Sequence, residues 1–272
     1  MQSGFVITGG DAAEIVEMGV EVEEAGWDAA FGWETVYGLD PWVYLGAMAA
    51  RTSRIRLGTL LTPPSRRRPW KLASEVATLD RLSNGRAVLI VGLGATMTGF
   101  AEVGEETDRK IRAELLDESL SLMQQFWTGE PFTQTGKHYL VDWNMPEWNL
   151  KPVQQPRVPI WTVALWPSAR SMNRAFSLDG CLPYVKGETE TENAISSHDV
   201  AAIRAAATER KSAGEHFDIV IEGVTPLGDD AALERVRGFA EAGATWWIES
   251  MWENPGGLDA VRDRIAAGPP RL

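Results

Sequence analysis

Cysteine is almost missing: Cys181 stands alone in 272 residues. No intrachain disulfide framework can staple this fold, and too few thiolates exist for a zinc ribbon or an iron–sulfur cluster. Histidine is nearly as scarce. His138, His198 and His216 are scattered, without the short spacings that metal ligation uses, so no metal is expected. Positive charge is in deficit, with 26 Lys and Arg against 38 Asp and Glu and a net charge of −12. That balance excludes a general nucleic-acid binder or a protein held on anionic lipid, both of which need a basic footprint. No apolar run approaches the ~18 residues of a membrane span. The start, Met1-Gln2-Ser3-Gly4-Phe5, lacks the basic n-region and apolar core of a secretory leader. The expectation is a soluble, cytoplasmic protein acting on a small molecule.

What is present is apolar material, 44% of the chain, arranged in a rhythm. Short β-branched or aromatic runs alternate with longer helical patterns. Strands are expected at 5–8, 29–34, 55–61, 87–94, 159–165, 181–185, 217–223 and 245–250. A helix is expected after each, at 12–25, 41–51, 69–82, 108–127, 168–176, 199–213, 229–242 and 258–267. Val88-Leu89-Ile90-Val91 and Ile219-Val220-Ile221 are continuous apolar runs, as parallel strands buried on both faces require. Gly26, Gly85 and Gly243 each close a helix just before the next strand. Repeated strand–helix units over this length predict an α/β fold: a single-domain (β/α)8 TIM barrel spanning 1–272. The rhythm breaks between the fourth and fifth strands, where an insertion at about 129–158 carries a hairpin, 132–134 and 138–141 around Thr135-Gly136-Lys137.

In such a barrel the chemistry belongs at the C-terminal strand ends. Those ends are aromatic and glycine-rich with few charges, which suits a site where a cofactor does the difficult step. Gly92 and Gly94 do not make a dinucleotide fingerprint, because Met97 stands where the third glycine is needed. They either admit a flat ligand close to the backbone or serve tight packing. Ser168-Ala169-Arg170 opens the fifth helix, where unpaired amides and the positive dipole end offer a phosphate seat; a plain cap with a solvated arginine is the alternative. The run Arg66-Arg67-Arg68 could grip an anionic tail or be an ion-paired loop. Glu34, Glu222 and Glu249 are the carboxylates at strand ends. Glu222 and Glu249, on neighbouring strands, could form a glycosidase pair or structural ion pairs.

Several segments together resemble one family. They are Ala25-Gly26-Trp27-Asp28 with Phe31-Gly32-Trp33-Glu34, Asp40-Pro41-Trp42, the stretch Ala49-Ala50-Arg51-Thr52-Ser53-Arg54-Ile55-Arg56-Leu57-Gly58-Thr59, and Ala77-Thr78-Leu79-Asp80-Arg81-Leu82-Ser83-Asn84-Gly85-Arg86. Val91-Gly92-Leu93-Gly94, Arg112 with Glu114, Phe126-Trp127-Thr128-Gly129 and Gly136-Lys137-His138-Tyr139 continue the pattern in order, as do Pro152, Pro156 and Pro159. The chain is similar to the luciferase-like monooxygenase superfamily. That resemblance implies a (β/α)8 barrel using reduced FMN or the deazaflavin F420, often as a homodimer packed through early helices. It places the isoalloxazine ring against Thr59, Leu60 and Leu61, where the family often has a non-proline cis peptide, with Gly92 and Gly94 flanking the ring. Ser168, Ala169 and Arg170 would hold the phosphate, with Arg68 near the rim. Two departures matter. Glu34-Thr35 stands where many deazaflavin users have Asp-His, and Ala95-Thr96 where sugar-phosphate dehydrogenases often have a glutamate.

The expected function is therefore an oxidoreductase or monooxygenase acting on a small organic substrate with reduced FMN and dioxygen, or alternatively F420-dependent hydride transfer. Glu34 and Glu222 are the candidate proton-handling groups. A flavin-binding protein without turnover and a barrel glycosidase are the rivals. Trp42, Val43, Leu45 and Met48 suggest an apolar dimer face on the second helix, or barrel-facing core.

Overall fold

Strand and helix alternate from the first residues: β1 (Gln2–Val6), α1 (Ala12–Glu24), β2 (Ala29–Gly32), α2 (Pro41–Arg51), β3 (Arg56–Thr59), α3 (Pro69–Leu82), β4 (Ala87–Val91) and α4 (Arg109–Thr128). A hairpin of β5 (Phe132–Thr135) and β6 (Leu140–Trp143) intervenes. Then come β7 (Ile160–Leu165), α5 (Ala169–Phe176), β8 (Gly180–Tyr184), α6 (Ser197–Arg210), β9 (Asp218–Gly223), α7 (Asp230–Glu241), β10 (Trp246–Ser250) and α8 (Gly257–Ala266). The computed structural model describes residues 1–148, 150–187, 193–212, 214–254 and 256–271. Eight parallel strands close in the order β1-β10-β9-β8-β7-β4-β3-β2, the expected (β/α)8 barrel. Among the described residues no helix is long and apolar enough to cross a membrane.

Alternation along each strand divides the core in two. Val6, Phe31, Ile90, Leu182, Val220 and Ile248 point inward with Trp161 and Trp246, and the two indoles lie 5.3 Å apart. Their bulk fills the barrel, so it is a packed core rather than a pore. The outward residues, such as Phe5, Leu57 and Leu89, pack under α1 to α3 with Leu45, Met48 and Leu72. Cys181 faces outward into the helix layer of the second half. Burial pushes its thiol up to about 12, so the native protein should resist a disulfide-exchange reagent at pH 8 and react only once unfolded.

Of the four residues proposed for a dimer face, Trp42, Leu45 and Met48 are buried between α2 and the barrel, and only Val43 is exposed. The helical period puts the three on the inner face. The hairpin forms, but its strands pair Phe132 with Trp143 through Thr135 with Leu140, so His138 and Tyr139 belong to the turn rather than to a strand. Glu118 on α4 decides this by accepting from the amides of Lys137, His138 and Tyr139. Helix α6 starts at Ser197, ahead of the expected 199. Asp199 is the third residue of a capping box with Ser196, not the first of the helix.

The segments that carry the family resemblance largely brace the bottom of the barrel. Arg86 reaches the carbonyls of Ala49, Thr52 and Ile55, closing the end of α2. The buried Asp80 accepts from the amides of Val153 and Gln154, fixing the chain as it returns from the insertion. Glu23 accepts from the amides of Ser53, Arg54 and Ile55. Burial works to raise the Glu23 carboxyl, but these backbone donors hold it below the usual range. A carboxyl depressed in the folded state stabilises above its unfolded value and loses that contribution as pH falls through its folded value. Glu23→Ala should cost about 2–3 kcal/mol at pH 7. In denaturant melts, the gap from wild type should narrow as pH falls below the ordinary glutamate range.

Candidate functional site

Continuing each strand's alternation one step brings a ring of side chains into the C-terminal mouth. Beyond inward Phe31 comes Trp33, beyond Ile90 Gly92, beyond Val163 Leu165, and beyond Leu182 Tyr184. Val220 leads to Glu222 and Ile248 to Ser250. Glu222 is the charged member of this set. The Trp252 indole N–H donates to its Oε1. Burial raises the Glu222 carboxyl, while donation from Trp252 and Ser250 works the other way without cancelling it. A carboxyl kept protonated above its ordinary range, at the mouth of a barrel, can hand a proton to a bound molecule. Trp252 in turn meets Trp33 edge to face at 6.1 Å.

Glu34 lies differently. Its side chain is 5% exposed and bonds Arg66 Nη2 at 2.9 Å and Arg67 Nε at 3.1 Å. Thr62 Oγ1 donates to its other oxygen at 2.7 Å and lies 2.8 Å from Thr59 Oγ1. With its oxygens engaged this way, Glu34 reads as an ion-pair anchor rather than a proton carrier. Arg67 is also paired with Glu75 at 2.9 Å. Arg66 and Arg67 are therefore committed to protein carboxylates. Arg68, at the start of α3, is exposed beside the Trp70 ring.

Glu249 corrects the glycosidase expectation. It sits one residue out of step with Glu222, faces the helix layer, and is fully buried. Arg264 Nη2 lies 3.1 Å from it, the Thr225 amide donates at 2.6 Å and the Trp247 indole at 3.1 Å. Glu222 and Glu249 thus open onto opposite faces of the sheet, so they cannot flank one glycosidic bond.

The Leu60–Leu61 peptide is cis, as the resemblance implies. Two of the mouth glycines are packed closely by protein. A Cβ on Gly92 would come within 2.8 Å of Leu61, and one on Gly94 within 2.7 Å of Phe100 and 2.9 Å of Pro63. Gly94 also has φ +76°. Close packing therefore requires glycine at both positions. At α5, the Ser168 hydroxyl makes no cap bond, and the first helical bond runs from Met172 N to Ser168 O. The hydroxyl and the amides of Ala169, Arg170 and Ser171 thus remain as donors, which fits a phosphate. The Arg170 side chain lines a cleft of about 350 Å3 with Asp117 and Arg174, on the α4–α5 flank. The resemblance places Arg170 at the phosphate; here its backbone amide is the better placed contributor.

The sequence shows the strand ends as aromatic without bringing Trp33 and Trp252 together as a pair. The signal was available: Trp252 stands two residues beyond inward Ser250, and Trp33 two beyond Phe31. The Thr59–Thr62–Glu34 chain was not legible, since it depends on how the chain turns after β3.

A closed parallel barrel with an acid and two indoles at its mouth, and a donor cluster at the start of α5, defines a small-molecule site of the kind cofactor-using barrels carry. The chain belongs to the luciferase-like monooxygenase family, which it matches over residues 2–264. It is 35% identical over 168 residues to an F420-dependent glucose-6-phosphate dehydrogenase of Amycolatopsis mediterranei, covering 57% of this chain and 48% of that one. It is 38% identical over 122 residues to an uncharacterized protein of Mycobacterium bovis, covering 45% and 42%. The match thus spans less than half the length of these relatives. Among solved structures, the coenzyme F420 dependent tetrahydromethanopterin reductase of Methanopyrus kandleri superposes with TM-score 0.75 at 18% identity, covering 98% of each chain. The FMN-bound oxygenating constituent of 3,6-diketocamphane monooxygenase of Pseudomonas putida does so with TM-score 0.71 at 15% identity, also covering 98% of each.

Proposed function

We propose that this protein is an oxidoreductase that holds a flavin-type cofactor across the barrel mouth and acts on a small organic substrate. The observation that carries the reading is Glu222, an inward-facing carboxyl raised by burial and held by Trp252 and Ser250 where strand ends meet. The Ser168 hydroxyl and the amides of Ala169 and Arg170 would hold the phosphate, and the Thr59-Leu60-Leu61 segment would lie against the ring. Trp33 and Trp252 exclude water, and Glu222 holds or delivers a proton at the substrate oxygen. When bound, the cofactor supplies two-electron chemistry, toward dioxygen for reduced FMN or as hydride transfer for F420.

We read the cofactor as FMN, because Arg66 and Arg67 are engaged by Glu34 and Glu75 and are poorly placed to grip a longer anionic tail. The F420 reading is favoured by the names of the Amycolatopsis and Methanopyrus relatives. Titrating the apoprotein with each cofactor separately tests both. Saturable binding of FMN at micromolar concentration supports the first, of F420 the second, and of neither overturns the proposal. A homodimer through α2 and α3 is proposed from the resemblance, with exposed Val43 and Leu82 on those helices; a monomeric mass in sedimentation would refute it.

A further inference from the structure

One side of the mouth is walled by rings that protein leaves half uncovered. Trp33 follows β2 and Trp252 follows β10, the two strands that flank β1. Their indoles touch edge to face, yet they remain 36% and 47% exposed. The wall is anchored rather than loose. Trp252 is tied to Glu222 through its indole N–H, and Thr8 Oγ1, past the end of β1, donates to the Met251 carbonyl at 3.1 Å. Fixed, half-open tryptophans offer large apolar contact at little ordering cost. The other inward groups named at this mouth, Leu165, Tyr184 and Ser250, include no cation, and the charge among them is the acid Glu222. These named groups reward an uncharged ring and give a phosphate dianion no cation to offset its lost hydration.

We propose that Trp33, Trp252 and Glu222 form a substrate subsite for an uncharged cyclic compound bearing a carbonyl or hydroxyl oxygen. The ring lies against the indoles and its oxygen meets the Glu222 carboxyl. This rests on reading the mouth as the active site, and it separates this chain from relatives named for glucose 6-phosphate.

The test is calorimetric titration of the full chain with cyclohexanone, benzaldehyde and glucose 6-phosphate, each with and without FMN or F420. Saturable binding of the ring compounds is expected, weakened at least tenfold in Trp33→Ala and in Trp252→Ala. Trp148→Ala, in the exposed insertion, should leave it unchanged, and Trp252→Phe, which keeps a ring, should retain most of it. Glucose 6-phosphate should give no saturable heat. Glucose 6-phosphate binding as tightly as the rings would overturn the proposal. So would ring binding that ignores both alanine variants while circular dichroism shows them folded, or no ring binding by cofactor-loaded protein. Cofactor binding without tryptophan-dependent ring binding defeats this subsite alone. Ring binding that depends on the two indoles, with neither cofactor bound, defeats the proposed function and leaves the subsite standing.

Discussion

Arg264→Met is expected to lower the thermal midpoint by roughly 6–20 °C. Breaking a buried ion pair from one side costs about 3–5 kcal/mol, and each kcal/mol moves the midpoint of a chain this size by roughly 2–4 °C. The reason is local. Glu249 is fully buried and Arg264 nearly so, and Arg264 also donates to the Thr225 hydroxyl at 2.7 Å and to the Gly268 carbonyl at 2.7 Å. Removing the guanidinium leaves a carboxylate beneath the helix layer with only the Thr225 and Trp247 donors. The double variant Glu249→Met with Arg264→Met should recover much of the loss, since replacing both partners removes the stranded charge. A single-variant shift below 2 °C in calorimetry would show that this pair does not hold α8 against the barrel.

The second large effect concerns catalysis rather than stability. Glu222→Gln should lower kcat/KM for cofactor turnover with a cyclic ketone by about 10²–10⁴-fold, the usual reach of a positioned acid or base. The thermal midpoint should fall little, because glutamine can still accept from Trp252. The sign of the pH dependence follows from the raised carboxyl. If Glu222 acts as an acid, it stays competent above the ordinary glutamate range, and the rate falls as pH rises through its raised value. Glu222→Gln should remove that limb of the profile. An unchanged limb in the variant would assign it to another group.

The (β/α)8 ring was legible because its signal is repetitive. Each β–α unit announces itself by apolar run and helical period, several also by a closing glycine, and eight together leave few alternatives. The bounds of α2 and α3 were read to the residue because Asp40 and Pro41, and Arg68 and Pro69, mark sharp starts. The hairpin register was not legible, since the Glu118 carboxylate that sets it lies on the preceding helix and its reach to the turn depends on how the chain folds back. Nor were the neighbours that Gly92 and Gly94 pack against. Their need for glycine comes from Leu61, Phe100 and Pro63, all brought there by other loops.

The candidate site divides in the same way. Glu222 was legible as a strand-end carboxylate, and Ser168 as a helix start. Glu249 and Glu34 looked equivalent to Glu222 by residue type and position. Strand parity turns Glu249 outward to Arg264, while the turn after β3 carries Arg66 and Arg67 onto Glu34. The family resemblance rests largely on residues such as Asp80 and Arg86, which tie loops together at the bottom of the barrel. Those residues report the scaffold and say little about the substrate.

Amino-acid order alone determined the barrel and the family. Those properties follow from periodicity and composition, which are local along the chain. Tertiary structure decided which of three carboxylates faces the mouth and which cations are already paired. It also placed two tryptophans, 219 positions apart in the chain, edge to face. Ion pairing and burial depend on what stands across a few ångströms of space, and a closed sheet brings together side chains from its first and last strands.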